Sequence, residues 1–143
     1  MTTRIYDANE VQISFAGVPV TGFADGDFLT ITHASDAFAS VVGTDGNVAR
    51  SRTSDRRADI EIRLMSTSPT NALLSAIATV DQNTPGGAGV GAFLCADLNG
   101  TSLYAAGNTW IKRKPDITYG REANERVWVL ECDDLRDFTG GTL

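Results

Sequence analysis

The sequence predicts one mainly β domain, a small β-sandwich or barrel of about eight strands with a single flanking helix. Three observations predict this fold class. Apolar and polar residues alternate in many short segments, Asp-Gly and Asn-Gly pairs supply turns between them, and helical spacing is confined to about 69–81. The 143 residues contain no internal repeat and no domain boundary, so we expect a single domain over 1–143.

Alternation identifies the strands. In residues 58–64 every second residue is apolar and is expected to face the core, while Asp59 and Glu61 face outward. Pro19 is expected at a sheet edge, because it cannot donate a ladder hydrogen bond. The predicted strands are 10–15, 18–23, 28–33, 38–42, 58–64, 91–97, 102–114, 116–120 and 126–132.

A long polar segment, 43–57, follows the fourth strand. Asp45-Gly46 within it favours a type I′ hairpin turn. Loops of this length are uncommon in compact domains and are usually functional or mobile. We therefore expect a long exposed hairpin that reaches away from the core and carries four arginines, Arg50, Arg52, Arg56 and Arg57.

The one predicted helix covers about 69–81. Ser68 is a suitable N-cap, and Pro69 fits the first helical position. The helix should lie against the sheet through the apolar residues that recur at helical spacing, Leu73, Leu74, Ile77 and Val80.

The remaining segments are connections and termini. The glycine-rich stretch 83–91 predicts a flexible loop, and the following long strand is expected to bend or bulge at Gly107. We expect an N-terminal arm over 1–9 and a C-terminal arm over 134–143.

Composition and charge exclude several classes of protein. A chain with 42% hydrophobic and 21% charged residues has the balance of a folded soluble domain. Its net charge of −6 is spread evenly, which disfavours tight binding to nucleic acid. No apolar run approaches the roughly 20 residues of a membrane span, so membrane insertion is not expected. The N-terminus has no secretory signal pattern, which favours folding in a cytoplasm.

No constellation for catalysis or cofactor binding is visible. His33 is the only histidine and has no partner that would make it a catalytic base. The glycine run at 86–91 lacks the lysine of a phosphate-binding loop. Cys95 and Cys132 are expected to be buried free thiols. The acidic pairs lack the ligand spacing of a calcium loop. We therefore predict a protein that is not an enzyme and that has no cofactor and no metal.

Charge clusters suggest contacts between subunits. The two basic concentrations, 50–57 and 112–114, are either solvated faces or partners for acidic groups of a neighbouring subunit. Trp110 and Trp128 are either core anchors or interface anchors. The candidate inter-subunit residues are Asp45, Asn47, Arg50, Arg52, Asp55, Arg56, Arg57, Asp133, Asp134 and Asp137.

The order of these features resembles one known family. The segments that carry the resemblance are YDANEVQISFAGVPVTGFADGDFLTI, DAFASVVGTDGNVARS, IRLMSTSPTNALLSAI, DLNGT and VWVLECDDLRDFTGG. Together they resemble the tail tube proteins of contractile-tailed bacteriophages (myoviruses), which are similar in fold to the tube proteins of type VI secretion. The resemblance covers nearly the whole chain.

The resemblance implies a function. Copies of the chain would close into hexameric rings, and the rings would stack into a hollow tube inside a contractile sheath. Such a tube is a virion component, assembled in the host cytoplasm, that delivers DNA without binding it specifically. Its implied partners are further copies of itself, the tail sheath protein, and baseplate and tail terminator proteins. Asp59 and Glu61 are the candidate lumen-facing acidic residues.

Two alternatives remain open from the sequence. The first is a tube initiator or terminator, or another virion structural protein of related fold. The second is a monomeric β-sandwich binding module for carbohydrate or nucleic acid. A module of that kind needs an exposed aromatic platform, whereas most aromatic residues here fall on expected core faces.

Overall fold

The computed structural model describes residues 3–142, which form ten strands and one α-helix. The helix α1 is Thr70–Asn83. A short 3-10 turn at Ala8–Glu10 precedes the first strand. The strands are β1 Val11–Phe15, β2 Val18–Pro19, β3 Leu29–His33, β4 Phe38–Val42, β5 Val48–Arg52, β6 Ala58–Met65, β7 Gly91–Asp97, β8 Leu103–Arg113, β9 Glu125–Cys132 and β10 Leu135–Phe138.

Eight of the ten strands form one antiparallel sheet in the order β2-β1-β7-β8-β9-β6-β3. The remaining member, β10, pairs with the first half of β8, whereas β9 pairs with its second half. The sheet therefore has two parts, β1-β7-β8-β10 and β3-β6-β9, joined through the long strand β8. This arrangement confirms the predicted fold class of a mainly β domain with one helix.

Both parts of the sheet contribute to a single core. In β6 every second residue from Ala58 to Leu64 is fully buried, as the alternation predicted. Burying a large apolar side chain contributes about 1.5–3 kcal/mol, so this shared core holds the two parts together. Its largest buried side chains are Phe15, Ile60, Ile62, Leu64, Leu74, Phe93, Trp128 and Leu130.

The segment 20–24 closes the sheet upon itself. At its start the Val20 N–H donates to the Ile13 carbonyl at 2.9 Å. At its end the Ala24 N–H donates to the Arg63 carbonyl at 3.0 Å. Because these partners lie on β1 and β6, the segment links the two parts on the side opposite β8 and gives the domain a barrel-like form.

The helix begins one residue later than predicted. Pro69 occupies the N-cap position with helical angles. Ser68 still caps the helix, since its Oγ accepts the Thr70 N–H at 3.3 Å and donates to the Thr21 carbonyl at 2.6 Å. None of the helices formed by residues 3–142 has the length and apolar character needed to cross a membrane.

The buried face of α1 differs from the prediction. Leu74 is fully buried and Ala78 nearly so, whereas Leu73 and Val80 are 48% and 52% exposed. The Thr70 hydroxyl accepts the Thr21 N–H at 3.1 Å and holds the first turn of the helix against the segment 20–24. This anchor turns the line of Thr70, Leu74 and Ala78 inward, and Leu73 and Val80 are left outside.

The predicted hairpin also has different bounds. Residues 38–42 are not a strand of the sandwich, because β4 pairs only with β5 and the hairpin therefore runs over 38–52. The predicted type I′ turn is wrong. Gly46 has a φ of +86°, but Asp45 does not have the positive φ that a type I′ turn requires. The loop closes through bonds from Gly46 N–H to Gly43 O and from Gly43 N–H to Asn47 O.

Two features of the second half of the chain are not regular strands. Residues 116–120 were predicted as a strand but form a loop, and β9 pairs with β6 and β8 instead. The predicted irregularity at Gly107 is confirmed, because Gly107 and Asn108 together stand opposite Ala92 alone.

The two predicted arms are only partly described by the structure. Residues 3–7 have no regular secondary structure, and Met1, Thr2 and Leu143 lie outside the described residues. The C-terminal segment includes β10, which runs against the first half of β8 in its own chain.

Candidate functional site

The hairpin of β4 and β5 is the most conspicuous uncovered element. Every residue from 32 to 54 is exposed, and Val41, Val42 and Val48 are each at least 65% exposed. An isolated two-stranded hairpin is marginally stable in water, and exposed valines add to that cost. The hairpin is therefore a surface that gains stability when another surface covers it.

The register divides the hairpin into two unlike faces. Residues directly opposite each other share a face, and successive residues alternate between faces. We call one the arginine face; on it the Arg50 guanidinium lies 4.3 Å from the centre of the Phe38 ring. The arginine face comprises Phe38, Ser40, Val42, Val48, Arg50 and Arg52; the opposite, uncharged face comprises Ala39, Val41, Ala49 and Ser51.

Asp45 and Asn47, two predicted contact residues, are bonded to each other in the hairpin loop. The Asp45 carboxylate accepts the Asn47 backbone N–H at 3.1 Å and its Nδ2 at 2.6 Å. These hydrogen bonds lower the pKa of Asp45, because they favour the ionised carboxylate. The structure thus assigns both residues a role in shaping the loop.

Asp55 clamps the base of the hairpin. It accepts a bond from the Ser35 hydroxyl at 2.7 Å and paired bonds from the Arg57 guanidinium at 2.9 and 3.0 Å. The hydrogen bonds from Arg57 and then from Ser35 hold the pKa of Asp55 well below its usual range. Ser35 precedes the hairpin and Asp55 follows it, so the clamp fixes the direction in which the hairpin leaves the domain.

The arginine cluster and the acidic C-terminal segment meet within one chain. Arg56 Nη1 lies 3.8 Å from Asp134 Oδ1, and the Leu135 N–H donates to the Arg56 carbonyl at 3.0 Å. Asp137 lies 3.5 Å from His33 Nε2. Arg50 and Arg52, by contrast, have no carboxylate partner among residues 3–142. Their role between subunits, and that of Asp133, remains a prediction.

The outer face of β3-β6-β9 is acidic and internally paired. Lys112 lies 3.3 Å from both Asp59 and Glu131, which raise its pKa, Asp59 most strongly. Arg63 lies 2.7 Å from Glu61 and 3.2 Å from Glu125. These six paired groups, four carboxylates and two cations, carry a formal charge of −2, and we call this surface the acidic face.

The outer face of β1-β7-β8-β10 carries a group of exposed large apolar side chains that sequence reasoning missed, and we call it the apolar face. Leu94, Leu103 and Phe138 are 44%, 46% and 62% exposed on this face. The register places Leu103 beside Phe138 and Leu94 beside Ala105. Alternation gave no sign of this apolar face, because β7 carries apolar residues on both sides.

The two tryptophans have different environments. Trp128 is 2% exposed in the core and donates from Nε1 to the Asn71 side chain at 2.9 Å. Trp110 is half-buried and pairs in register with Glu131 on the acidic face. Trp128 is therefore a core anchor that also fixes α1 to the sheet.

These features define a class of protein. Within residues 3–142 no group of three or more metal-ligating side chains comes together, and the single histidine contacts one carboxylate at the surface. What stands out instead is an uncovered hairpin and two contrasting sheet faces. Uncovered surfaces of this kind are typical of a chain that associates with other chains.

Residues 10–140 match the family described as Bacteriophage PhiTE tail tube protein, and the chain belongs to this family. It is 26% identical over 145 residues to "Structural protein ORF10" of Pseudomonas phage KPP10, covering 97% of this chain and 84% of that protein. These findings confirm the resemblance found in the sequence.

Solved structures share the fold. The sheath/tube terminator of the extracellular contractile injection system PVC has a TM-score of 0.65 at 12% identity, over 97% of this chain and 100% of that chain. The tube terminating cap of the anti-feeding prophage has a TM-score of 0.61 at 10% identity, over 100% and 95%. The PVC sheath-tube complex in the extended state has a TM-score of 0.61 at 11% identity, over 97% and 93%.

Family membership fixes the broad role. The chain is a tail tube-related structural protein of a phage, and hence a component of the phage tail, and it is not an enzyme. The alternative of a monomeric binding module is not retained.

Proposed function

We propose that the chain is the repeating subunit of the tail tube of a contractile phage. Copies close into hexameric rings, and the rings stack into a hollow tube within a contractile sheath. The tube is assembled in the host cytoplasm and conducts DNA during ejection. Baseplate and terminator proteins bind its two ends.

The observation that carries this proposal is the exposed hairpin over 38–52. It is long enough to reach beyond its own domain, it is uncovered in the single chain, and it carries exposed valines. A neighbouring copy that covered it would remove apolar surface from water at about 25 cal/mol per Å². Free sheet edges are likewise an aggregation hazard that ring closure removes.

The acidic face is the proposed lining of the tube. Asp59 and Glu61 lie on it, and its cations Lys112 and Arg63 are already held by carboxylates. DNA phosphates would therefore meet these two cations already neutralised. A ring of six copies carries roughly −36 in total, and a negative lining repels phosphates and lets DNA slide.

A second candidate function is a tube terminator or initiator. Its support is the likeness in fold to a sheath/tube terminator and to a tube terminating cap, at TM-scores of 0.65 and 0.61. A protein of that kind forms a ring but does not add further rings indefinitely.

Electron microscopy of the purified chain over a range of concentration and salt separates these functions. We expect long hollow tubes of stacked rings. Single rings that never elongate would favour the terminator, and a chain that stays monomeric at high concentration would contradict both.

A further inference from the structure

Two exposed surfaces of this chain consist mainly of uncharged side chains. The uncharged face of the hairpin presents short side chains and Val41, which is 69% exposed. The apolar face of β1-β7-β8-β10 presents larger ones, with Leu94 and Leu103 close to half exposed. Large side chains on one sheet and small ones on the other are the combination that interdigitates when two sheets pack about 10 Å apart.

Neither surface is covered within its own chain. The Asp55 clamp joins Ser35, just after β3, to Arg57, just before β6, and the Thr53 N–H donates to the Ala37 carbonyl at 2.9 Å across the base of the hairpin. Those strands belong to the other part of the sheet. The hairpin therefore leaves the domain from the part that carries the acidic face, and the apolar face stays open.

Charge decides which face of the hairpin is buried. The arginine face carries Arg50 and Arg52, which have no carboxylate partner among the described residues. In the β8–β10 pairing the apolar face carries the cation Arg136, which already holds the Asp134 carboxylate at 3.2 Å and would repel further arginines. Burying unpaired guanidinium groups there is costly, whereas burying the uncharged face removes only small and apolar groups from water.

We infer that the uncharged face of the hairpin packs onto the apolar face of a second copy of this chain. The inference rests on the proposed function and names the surface that receives the hairpin. Because the two surfaces lie on different parts of the molecule, the contact is heterologous, and a heterologous contact generates rings or open filaments. The arginine face then points away from the contact.

Val41 and Ser40 provide a matched test. They are neighbours in β4, both are exposed, and they project to opposite faces. We expect Val41→Glu to raise the protein concentration needed for assembly by about tenfold or more, since a buried unpaired charge opposes the contact. Ser40→Glu should assemble at close to the wild-type concentration. Circular dichroism of both variants checks that the monomer remains folded.

A charge pair tests the receiving surface. Leu94→Lys alone should impair assembly, and the double variant with Val41→Glu and Leu94→Lys should recover much of it, because glutamate and lysine then meet between copies. Light scattering and electron microscopy follow assembly of the wild type, Val41→Glu, Leu94→Lys and the double variant.

Three outcomes overturn the inference. Assembly by Val41→Glu at the wild-type concentration does so, as does loss of assembly by Ser40→Glu alone. Two impaired single variants without recovery in the double variant also overturn it, because the two residues then do not meet. In each of these cases, tube formation by the wild-type chain would still support the proposed function. A wild-type chain that never assembles would contradict the proposed function as well.

Discussion

At the scale of single residues, the base of the hairpin depends on one carboxylate. Asp55 receives hydrogen bonds from Ser35 and Arg57, on the two sides of the hairpin. Other charges in the region are paired less closely, as with Arg56 and Asp134 at 3.8 Å. Among the charged residues of this region, Asp55 therefore contributes most to the orientation of the hairpin.

This carboxylate gives a prediction about pH. The bonds from Arg57 and Ser35 lower the pKa of Asp55 in the folded chain, whereas an unfolded aspartate titrates at about 3.9. The stability that Asp55 contributes is therefore present above about pH 4 and is lost as the pH falls toward its folded pKa. We expect wild type to have a higher Tm than Asp55→Asn at pH 7, and the difference to shrink between about pH 4 and pH 2.

The serine partner supplies the matched comparison. Ser35→Ala removes one bond to Asp55 and leaves the Arg57 pair in place, so it should change Tm in the same direction by a smaller amount. A Tm difference between wild type and Asp55→Asn that stayed constant with pH would show that the clamp does not act through the ionised carboxylate.

At the scale of elements, substitutions in α1 test how the helix packs on the sheet. Leu73 and Leu74 are adjacent and chemically identical, yet one is 48% exposed and the other fully buried. Leu74→Ala should lower the free energy of unfolding by about 2–5 kcal/mol, as core leucine truncations do. Leu73→Ala should change it by no more than about 0.5 kcal/mol. Urea denaturation of the two variants measures both values, and equal losses would contradict the packing of α1.

The elements also show what sequence can and cannot predict. β6 was predicted closely, because one of its faces is buried and the other is charged. Apolar and charged residues therefore alternate along Ala58 to Leu64. For β4, 38–42 is a short and mostly apolar segment, and that composition does not say whether its side chains face the chain's own core or open solvent. In the helix, two leucines in sequence left the buried face ambiguous until the Thr70 anchor was known.

In the candidate site, too, the sequence showed the residue types but not the directions of the side chains. Residue types pointed to the arginine cluster and the acidic C-terminal segment, and the structure brings Arg56 and Asp134 together. The pairing of Asp55 with Arg57, two residues away, is a matter of side-chain direction that composition does not contain. The apolar face went unnoticed because Leu94 lies between buried residues, Phe93 and Cys95, of similar character.

At the scale of the whole molecule, charge is separated between surfaces. The acidic face, the arginine face and the apolar face are distinct, although the chain as a whole has a net charge of −6. A subunit with such separated surfaces can place one toward DNA and the others toward neighbours. Its evenly spread sequence charge conceals this separation.

The proposed lining predicts a gain of DNA binding. Reversing two charges of the acidic face with Asp59→Lys and Glu61→Lys should make assembled tubes bind short double-stranded DNA, with an affinity that falls as salt rises. Wild-type tubes should show no measurable binding at physiological salt by fluorescence anisotropy.

A second double variant, Asp25→Lys and Asp27→Lys, changes the net charge equally in an exposed turn outside the acidic face. It should bind DNA much less than the first. Equal binding by the two variants would mean that overall charge, and not the acidic face, governs contact with DNA.

The hairpin and the apolar face lie on different parts of one molecule, and their separation determines how the tube grows in length. Where the contact between them runs from ring to ring, each added ring covers one set of hairpins and presents another. The growing tube therefore has direction, with bare hairpins at one end and bare apolar faces at the other. A protein that stops growth needs to imitate only one of these two surfaces, and the proteins that bind opposite ends of the tube need have no surface in common.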